Sequence, residues 1–309
     1  MRIASIDLGT NTFNLLIAEA EGHAFKIIFK DKRPVKLGKG GINKQTIQPD
    51  AWERGIQALS DFKRITAEYH IDKVIATATS AIRCAENGQD FVEEVKTKLG
   101  ISITTIDGKE EARLIFEGVK HAVHDISEPF MVMDIGGGSV EFIIAENNCI
   151  CWHNSFEVGM ARMLDIIKPS DPISSQETEF TVSYLKDKIS SALEEARRRG
   201  IKTLVGSSGS FDALANMASY LLRGEAMEQG LTCFEIPVDT FQALYLRLVA
   251  STLRDREKIP GMDMMRIEMI VLGTLLIHLV CQELSISRII QSEYAIKEGV
   301  ILNSMRNDE

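Results

Sequence analysis

Apolar and polar residues alternate with two different periods along the first 125 residues, and these periods predict strands and helices in turn. A strand at residues 2–8 and another at 13–18 flank the polar turn Gly9-Thr10-Asn11-Thr12, which predicts a hairpin. Three further predicted strands, at 25–29, 74–79 and 101–106, alternate with helices that begin at Pro49 and span 90–99 and 110–123. This alternation predicts an α/β fold.

The same pattern restarts near Ser127, which predicts two domains, residues 1–125 and 126–309. A strand at 130–135, the turn Gly136-Gly137-Gly138-Ser139 and a returning strand at 140–145 form a second predicted hairpin. The later predicted elements are a helix at 178–199, a strand at 201–205, helices at 211–222, 240–254 and 263–283, a strand at 288–290 and a helix at roughly 294–309. We expect that this last helix can pack back on the first domain.

The two predicted hairpins align with each other at an offset of 127 residues, so that an acid, a glycine and a hydroxyl residue recur in the same order. The aligned pairs are Asp7 with Asp134, Gly9 with Gly136, and Thr12 with Ser139. A repeat that opens each half predicts two related domains around a central ligand cleft. Chance similarity between two short hairpins is the alternative interpretation.

Composition and charge limit the classes of function. The chain has 309 residues, 45% of them apolar, and a net charge of -9, which is typical of a soluble globular protein and unlike a general nucleic-acid binder. Asp7 follows the start too closely for a secretory signal, and no apolar run is long enough to span a membrane, so we expect a cytoplasmic protein. Residues 26–44 differ from this average, because they hold seven basic residues and one acid, a charge of +6.

Glycine- and hydroxyl-rich turns follow several predicted strands. Glycines allow backbone N–H groups to approach an anion closely, and Ser and Thr hydroxyls add donors, so such turns can bind phosphate. Hairpin turns use the same residues for conformational reasons, but the recurrence in both halves favours phosphate binding. The candidate phosphate-binding residues are Thr10, Asn11, Thr12, Gly136, Gly137, Gly138, Ser139, Gly206, Ser207 and Gly209.

Three carboxylates stand beside these turns, at Asp7, Asp134 and Glu141. A buried acid needs backbone donors or a cation, and Mg²⁺ prefers one or two carboxylates together with water and phosphate oxygens. The sequence therefore predicts these acids as metal ligands, with a turn-stabilising role as the alternative for Asp7 or Asp134. Glu111, in the first turn of a predicted helix, is the candidate general base if that helix begins at the ligand site.

Four segments then resemble signature blocks of the exopolyphosphatase/guanosine pentaphosphate phosphohydrolase (Ppx/GppA) family. They are residues 5–12, 79–87, 108–114 and 134–141, and they occur in the family's order. Residues 155–159, 206–210 and 292–299 resemble later blocks, so the resemblance covers essentially the whole chain. It departs from the family where Arg266-Ile267-Glu268 replaces the usual Arg-Ala-Asp.

The resemblance implies a fold of two related ribonuclease-H-like domains, as in the actin, sugar kinase and heat-shock chaperone superfamily. It implies Mg²⁺-dependent hydrolysis of the terminal phosphate of inorganic polyphosphate, or alternatively of guanosine pentaphosphate, by a possible homodimer. By position, Glu111 matches the catalytic base, Arg83 a basic residue of the phosphate site, and Asp134 and Glu141 the metal-associated acids. A small-molecule kinase and a non-catalytic polyphosphate or alarmone sensor are the competing interpretations.

Overall fold

The computed structural model describes residues 1–22, 24–124 and 126–307. Residue 125, at the predicted domain boundary, and residues 308 and 309 lie outside the described residues. The chain divides into two compact units, the first made of Met1–Gly118 and Tyr294–Glu309 and the second of Val119–Glu293. The domain bounds predicted from the sequence, 1–125 and 126–309, stay a prediction.

The first unit is built on a five-stranded sheet of order β3-β2-β1-β4-β5. Its strands are β1 (Arg2–Leu8), β2 (Phe13–Glu21), β3 (Ala24–Arg33), β4 (Lys73–Ala78) and β5 (Ile103–Thr105). β2 is antiparallel to β1 and β3, whereas β1, β4 and β5 are parallel. Leu8 is in register with Ala78, and Ala78 with Thr105, so the connections that follow these three strands start at one edge of the sheet.

Helices cover both faces of this sheet. They are α1 (Pro49–Glu68), α2 (Ser80–Arg83), α3 (Gly88–Leu99), α4 (Gly108–Ala122), which continues into the second unit, and the last helix of the chain, α12 (Ile296–Asn307). On one face, Leu59 of α1 and Phe91 of α3 pack in a cluster with Ile6 and Leu15 of the sheet. On the other face, Ile301 of α12 packs with side chains of β1 and β2.

The second unit repeats this topology and adds a strand. Its sheet has the order β10-β11-β9-β6-β7-β8. The strands are β6 (Phe130–Ile135), β7 (Val140–Glu146), β8 (Cys149–Phe156), β9 (Thr203–Ser207), β10 (Cys233–Ile236) and β11 (Arg288–Ser292). The order β8-β7-β6-β9-β11 has the same strand directions as β3-β2-β1-β4-β5.

Even the irregularities of the two sheets correspond. The register shifts between Ile17 and Ala18 in the first sheet and between Ile144 and Ala145 in the second, again 127 residues apart. A β-bulge is a local irregularity of one strand pair, so its presence at the same position in both sheets indicates that the two hairpins share one backbone geometry. The sequence repeat therefore corresponds to a structural repeat.

The described residues of the second unit form seven further helices, most of which pack around a separate apolar cluster. They are α5 (Met160–Ile167), α6 (Ser175–Lys188), α7 (Ser190–Arg198), α8 (Ser208–Arg223), α9 (Val238–Val249), α10 (Leu253–Arg256) and α11 (Ile270–Leu284). The single helix predicted at 178–199 is wrong, because the chain turns at Ile189 between α6 and α7. Ile189 is fully buried, and the turn lets Leu185 and Leu193 on its two sides both reach the core.

One more helix limit predicted from the sequence differs in the structure. The helix predicted at 263–283 begins only at Ile270, and the segment before it forms hydrogen-bonded turns. Across residues 1–22, 24–124 and 126–307, we find no helix that combines the length and apolar character needed to cross a membrane.

Candidate functional site

Backbone hydrogen bonds from the segment that follows β3 support one side of the turn after β1. The backbone N–H of Gly38 donates to the carbonyl of Thr10 at 3.1 Å, and that of Lys36 donates to the carbonyl of Asn11 at 2.7 Å. In a trans peptide the N–H points opposite to the C=O. The amides of Asn11 and Thr12 therefore point away from the supporting segment, in the orientation that an anion site needs.

The turn after β6 has the same geometry with a different support. Gly136 N donates to Ser139 O at 3.1 Å, as Gly9 N does to Thr12 O. The first amides of α5 and that of Gly159 donate to the carbonyls of residues 136–138 at 2.8–3.2 Å. By the same peptide geometry, the amides of residues 137–139 point away from α5. Both predicted phosphate turns thus have their carbonyls occupied on one side and their amides directed to the other.

A row of four polar side chains crosses the second sheet beside its turn. Glu141 is in register with Asp134 on one side and with Ser155 on the other, and Asp134 is in register with Ser207. Directly paired residues place their side chains on the same face of a sheet. The structure therefore brings together two acids that lie seven positions apart, as the sequence predicted from the hairpin.

Hydroxyl groups hold both acids in place. Ser207 Oγ donates to Asp134 Oδ2 at 2.6 Å, Ser208 Oγ donates to the same atom at 2.7 Å, and Ser155 Oγ donates to Glu141 Oε1 at 2.6 Å. The exposed fraction is 6% for Asp134 and 1% for Glu141. Two carboxylates at directly opposite positions repel each other, so this buried pair is a good match for a divalent cation.

Mg²⁺ is compatible with this donor set, because it takes one or two carboxylates and completes its shell with water and phosphate oxygens. Among the described residues, no group of three or more His, Cys, Asp and Glu side chains is arranged to hold a metal. Asp7, the third predicted ligand, belongs to the first unit, where its Oδ2 accepts a hydrogen bond from Asn14 Nδ2 at 2.9 Å. Asn14 is the residue that aligns with Glu141 in the repeat.

The segment 206–210 has a mixed role. Gly206 lies inside β9, where any side chain would overlap the ring of Phe211, so this glycine is needed for packing. Gly209 is covered by the guanidinium of Arg266, which any side chain at 209 would displace. Arg266 was noted in the sequence only as part of a departure from a family pattern. In the structure the guanidinium of Arg266 lies against Gly209, a predicted phosphate-binding residue.

Glu111 and Arg83 form a buried ion pair in the first unit. Arg83 Nη1 donates to Glu111 Oε2 at 2.7 Å, and also to the carbonyl of Ile106 at 3.2 Å. The side chains are 17% and 9% exposed, respectively. α2 follows β4 and α4 follows β5, so the parallel register of these strands brings together two residues that are 28 positions apart.

Asp107 fixes the start of the helix that carries Glu111. Its Oδ1 accepts the backbone N–H groups of Lys109 at 2.9 Å and Glu110 at 2.8 Å, which is an N-cap arrangement. The hydrogen bond from Glu110, followed by that from Lys109, lowers the pKa of Asp107. The cap was not identified in the sequence, although an aspartate before a glycine and two glutamates is a typical signal for a helix start.

The last helix of the chain packs against α4 at very short range. A side chain at Gly299 would overlap the carbonyl of Leu114, and one at Gly118 would overlap the carbonyl of Ala295. Arg113 Nη2 donates to Asn303 Oδ1 at 3.0 Å across the same contact. α12 therefore braces the helix whose first turn holds Glu111.

The structure thus assembles the predicted site residues into two sets. The set in the first unit is Asp7, the turn 9–12, Arg83 and Glu111, and the set in the second is Asp134, Glu141, the turn 136–139 and the segment 206–209. The sequence predicted no role for Ser155 or Ser208, whose hydroxyls hold the two acids of the second set. Only strand register and loop geometry reveal these contacts, because neither serine adjoins its partner in the sequence.

Comparison with known proteins shows extensive similarity. A sequence model of the "Ppx/GppA phosphatase family" matches residues 16–308. Exopolyphosphatase 2 of Mycobacterium tuberculosis is 28% identical over 316 residues, which cover 98% of each chain. The crystal structure of an exopolyphosphatase from Cytophaga hutchinsonii superposes with a TM-score of 0.95 at 37% identity, covering 99% of this chain and 98% of that one.

A more distant solved structure shares the fold. The Aquifex aeolicus member of the Ppx/GppA protein family superposes with a TM-score of 0.83 at 23% identity, over 100% of this chain and 99% of that one. The likeness spans both sheets. The predicted fold class, α/β with two related units of the actin-like type, is confirmed.

Proposed function

Because this chain belongs to the Ppx/GppA phosphatase family and is a phosphoanhydride hydrolase, we propose that it is an exopolyphosphatase that removes the terminal phosphate of inorganic polyphosphate. The observation that carries this proposal is the buried Arg83–Glu111 ion pair at the start of α4. It combines a carboxylate that can accept a proton with a cation that can bind a phosphate oxygen. Hydrolysis of a terminal phosphate needs both functions, because the attacking water loses a proton and the phosphoryl oxygens carry negative charge.

Glu111 is the proposed general base. Its carboxylate can accept the proton that the attacking water loses. Glu111 Oε2 accepts a hydrogen bond from Arg83 Nη1 at 2.7 Å, which orients the carboxylate that we assign to the attacking water. The water oxygen bonds to the terminal phosphorus, its proton passes to Glu111, and the bond from that phosphorus to the bridging oxygen breaks.

Arg83 and the two turns are proposed to stabilise the charge that develops on the phosphoryl oxygens. Backbone amides that are already oriented require no reorganisation during the reaction, and this favours the transition state over the ground state. The amides of Asn11 and Thr12 and of residues 137–139 have the required orientation. Gly209 and the guanidinium of Arg266 are proposed to contact a further phosphate.

Asp134 and Glu141 are the proposed Mg²⁺ ligands, and Asp7 is proposed as a third metal-associated acid. When bound, Mg²⁺ neutralises charge on phosphate oxygens and lowers the barrier to attack by an oxygen nucleophile. The hydroxyls of Ser207, Ser208 and Ser155 hold the two carboxylates of the second unit in fixed rotamers. Fixed ligands of this kind bind a small octahedral cation with less loss of entropy.

The proposal is tested by measuring phosphate release from long polyphosphate, short polyphosphate, guanosine pentaphosphate and ATP with added Mg²⁺. We expect release from polyphosphate and loss of release in Glu111→Ala with the fold intact. Release from guanosine pentaphosphate alone would favour the alternative phosphohydrolase, and tight binding of polyphosphate without release would favour a sensor. Transfer of phosphate from ATP to an acceptor would instead indicate a kinase.

The cellular context is part of the same proposal. We propose that the enzyme is cytoplasmic and that it is a homodimer, which the family resemblance implied. Size-exclusion chromatography with light scattering measures the second property directly. A monomer at all concentrations tested would remove the dimer from the proposal and leave the chemistry unchanged.

A further inference from the structure

A second polar row crosses the first sheet, at the position that corresponds to the row of acids in the second. Asp7 on β1 is in register with Asn14 on β2, and Asn14 is in register with Lys32 on β3. Directly paired side chains lie on the same face, so Lys32, Asn14 and Asp7 project together. Lys30 is two residues from Lys32 and therefore projects from the same face.

The two rows differ in charge although they come from the same structural repeat. The row in the second unit holds Asp134, Glu141 and Ser155, with a formal charge of -2. In the first unit the corresponding row holds one acid, the amide of Asn14 and the cation of Lys32, with a formal charge of 0. An acid pair attracts a metal ion, whereas a lysine beside a phosphate-type turn attracts the anion itself.

The position of Lys32 fits contact with a phosphate chain at that turn. Adjacent strands are about 4.8 Å apart, so the Cα of Lys32 is one strand spacing from Asn14 and about 10 Å from Asp7. Only the Leu8–Phe13 pair separates the Asp7–Asn14 pair from the turn Gly9-Thr10-Asn11-Thr12. The four-carbon stem of a lysine can carry its ammonium group across one strand spacing. Lys32 is half-buried and Lys30 is exposed.

We propose that Lys32, extended by Lys30, is a binding site for the phosphates that follow the terminal group of inorganic polyphosphate. This inference rests on the proposed function and adds to it a determinant of substrate class. A linear polyphosphate offers negative oxygens at every unit, so it can occupy the turn and both lysines at once. ATP places a neutral sugar and base after its third phosphate, so it offers no charged oxygens beyond that point.

A general electrostatic effect of the basic segment is the competing explanation, and Lys26 separates the two. Lys26 lies on the same strand and is exposed, but it is in register with Glu19, on the opposite face from Asn14. Lys26→Gln removes the same charge from the same strand. A long-range field therefore predicts similar effects for Lys26→Gln and Lys32→Gln, whereas direct contact predicts an effect of Lys32→Gln alone.

The experiment compares the Michaelis constant for long polyphosphate in the wild type, Lys32→Gln, Lys30→Gln and Lys26→Gln at 0.15 M salt. A lost charge-assisted hydrogen bond should raise the constant about tenfold for Lys32→Gln, and less for the more exposed Lys30→Gln. We expect Lys26→Gln to change it less than about twofold, because an exposed charge at that distance is screened. Equal effects of Lys32→Gln and Lys26→Gln would overturn the proposal.

A second set of measurements distinguishes loss of phosphate binding from a change in the stability of the fold. Lys32→Arg should restore most of the affinity, because it keeps the charge, and the thermal midpoint of Lys32→Gln should match that of the wild type. The Michaelis constant for tripolyphosphate should rise less than that for long chains, since fewer units reach the lysines. An equal rise for both substrates would count against a site for the following phosphates.

Failure of this inference can be told apart from failure of the proposed function. If the wild type released no phosphate from polyphosphate, the proposed function would fail, and calorimetric titration with long polyphosphate would still measure binding by Lys32. If the wild type released phosphate and Lys32→Gln behaved like the wild type in both assays, only the lysine site would be wrong.

Discussion

Arg83 donates a hydrogen bond of 2.7 Å to Glu111, and both side chains are largely buried. The two residues follow different strands, β4 and β5, whose parallel register brings their connections to one edge of the sheet. Removing one member of a buried ion pair leaves an uncompensated charge. A substitution at Arg83 or Glu111 is therefore expected to lower the free energy of unfolding as well as the rate of phosphate release.

Glu111→Gln should lower the rate of phosphate release from polyphosphate by about two to four orders of magnitude, because it removes the proton acceptor and keeps the shape of the side chain. Glu110→Gln is the matched control. Glu110 is the adjacent residue in the same helix turn, but its carboxylate pairs with Arg113. Circular dichroism would verify the fold of both variants. A full rate in Glu111→Gln would exclude this residue as the base.

Asp134→Asn should abolish measurable binding of Mg²⁺ in calorimetric titrations without substrate, because the buried acid pair then carries a single negative charge. Ser155→Ala leaves both acids but removes the hydroxyl that orients Glu141, so we expect about tenfold weaker binding. Asp239→Asn, on an exposed part of the second unit, serves as the control. Unchanged Mg²⁺ affinity in Asp134→Asn would show that Asp134 and Glu141 do not form the metal site.

Neutralising Lys36 and Lys39 together by substitution with Gln should raise the Michaelis constant for long polyphosphate more at low salt than at high salt. Lys36 donates its backbone N–H to the turn at Asn11, so both lysines lie in the segment that supports this turn. Attraction over such distances is screened by salt. The double variant Lys63→Gln and Lys96→Gln removes two exposed charges elsewhere in the unit. A salt-independent effect would contradict a steering role.

Gly299→Ala should destabilise the protein by about 1–3 kcal/mol, because the new methyl group would overlap the backbone carbonyl of Leu114. Urea unfolding measures the change in free energy, and a fall in the rate of phosphate release should accompany it, since α12 braces the helix of Glu111. Ser304→Ala on the same helix is the control. Its buried hydroxyl has no hydrogen-bond partner among the described residues, so its removal should be neutral or stabilising.

Glu177 provides a test of stability against pH. Hydrogen bonds from Ser170, and then from Ser174 at the start of α6, lower the pKa of Glu177 from 4.5 to about 2. A lowered pKa stabilises the fold above the unfolded value, and this contribution is lost as the pH falls toward the folded value. The difference in thermal midpoint between the wild type and Glu177→Gln should therefore be full at pH 7 and should disappear between pH 4.5 and 2.

The control for this measurement is Glu179→Gln, two positions along the same helix. Its substitution removes the same charge without removing the cap. We expect its effect on the thermal midpoint to be small at both pH values. A difference for Glu177→Gln that persisted at pH 2 would mean that packing, and not the ionised cap, accounts for it.

Much of the fold follows from local pattern. The alternation of strands and helices and the 127-residue repeat were both visible in the sequence, because each hairpin joins residues that are close along the chain. Helix limits were predicted less well where long-range packing decides them. Residues 178–199 have a continuous helical pattern, yet burial of Ile189 divides them into two helices.

The candidate site divides in the same way. The two turns and the acids at 134 and 141 were predicted because each turn, with the residues beside it, lies within a single short hairpin. Arg83 entered only through resemblance to a family, and its bond to Glu111 depends on the register of two parallel strands. Ser155, Ser208 and Arg266 had no predicted role, since each meets its partner through strand pairing or loop packing that local sequence does not specify.

The α/β class, the duplicated hairpin and the residue types able to bind phosphate and metal follow from the sequence alone, because they depend on periodicity and on short-range order. The side chains that other strands add to these rows, Ser155 and Ser207 beside the acid pair and Lys32 beside Asn14, became visible only in the folded sheets. Register between neighbouring strands fixes those rows. Register results from the packing of whole sheet faces, and no short segment of the chain contains that information.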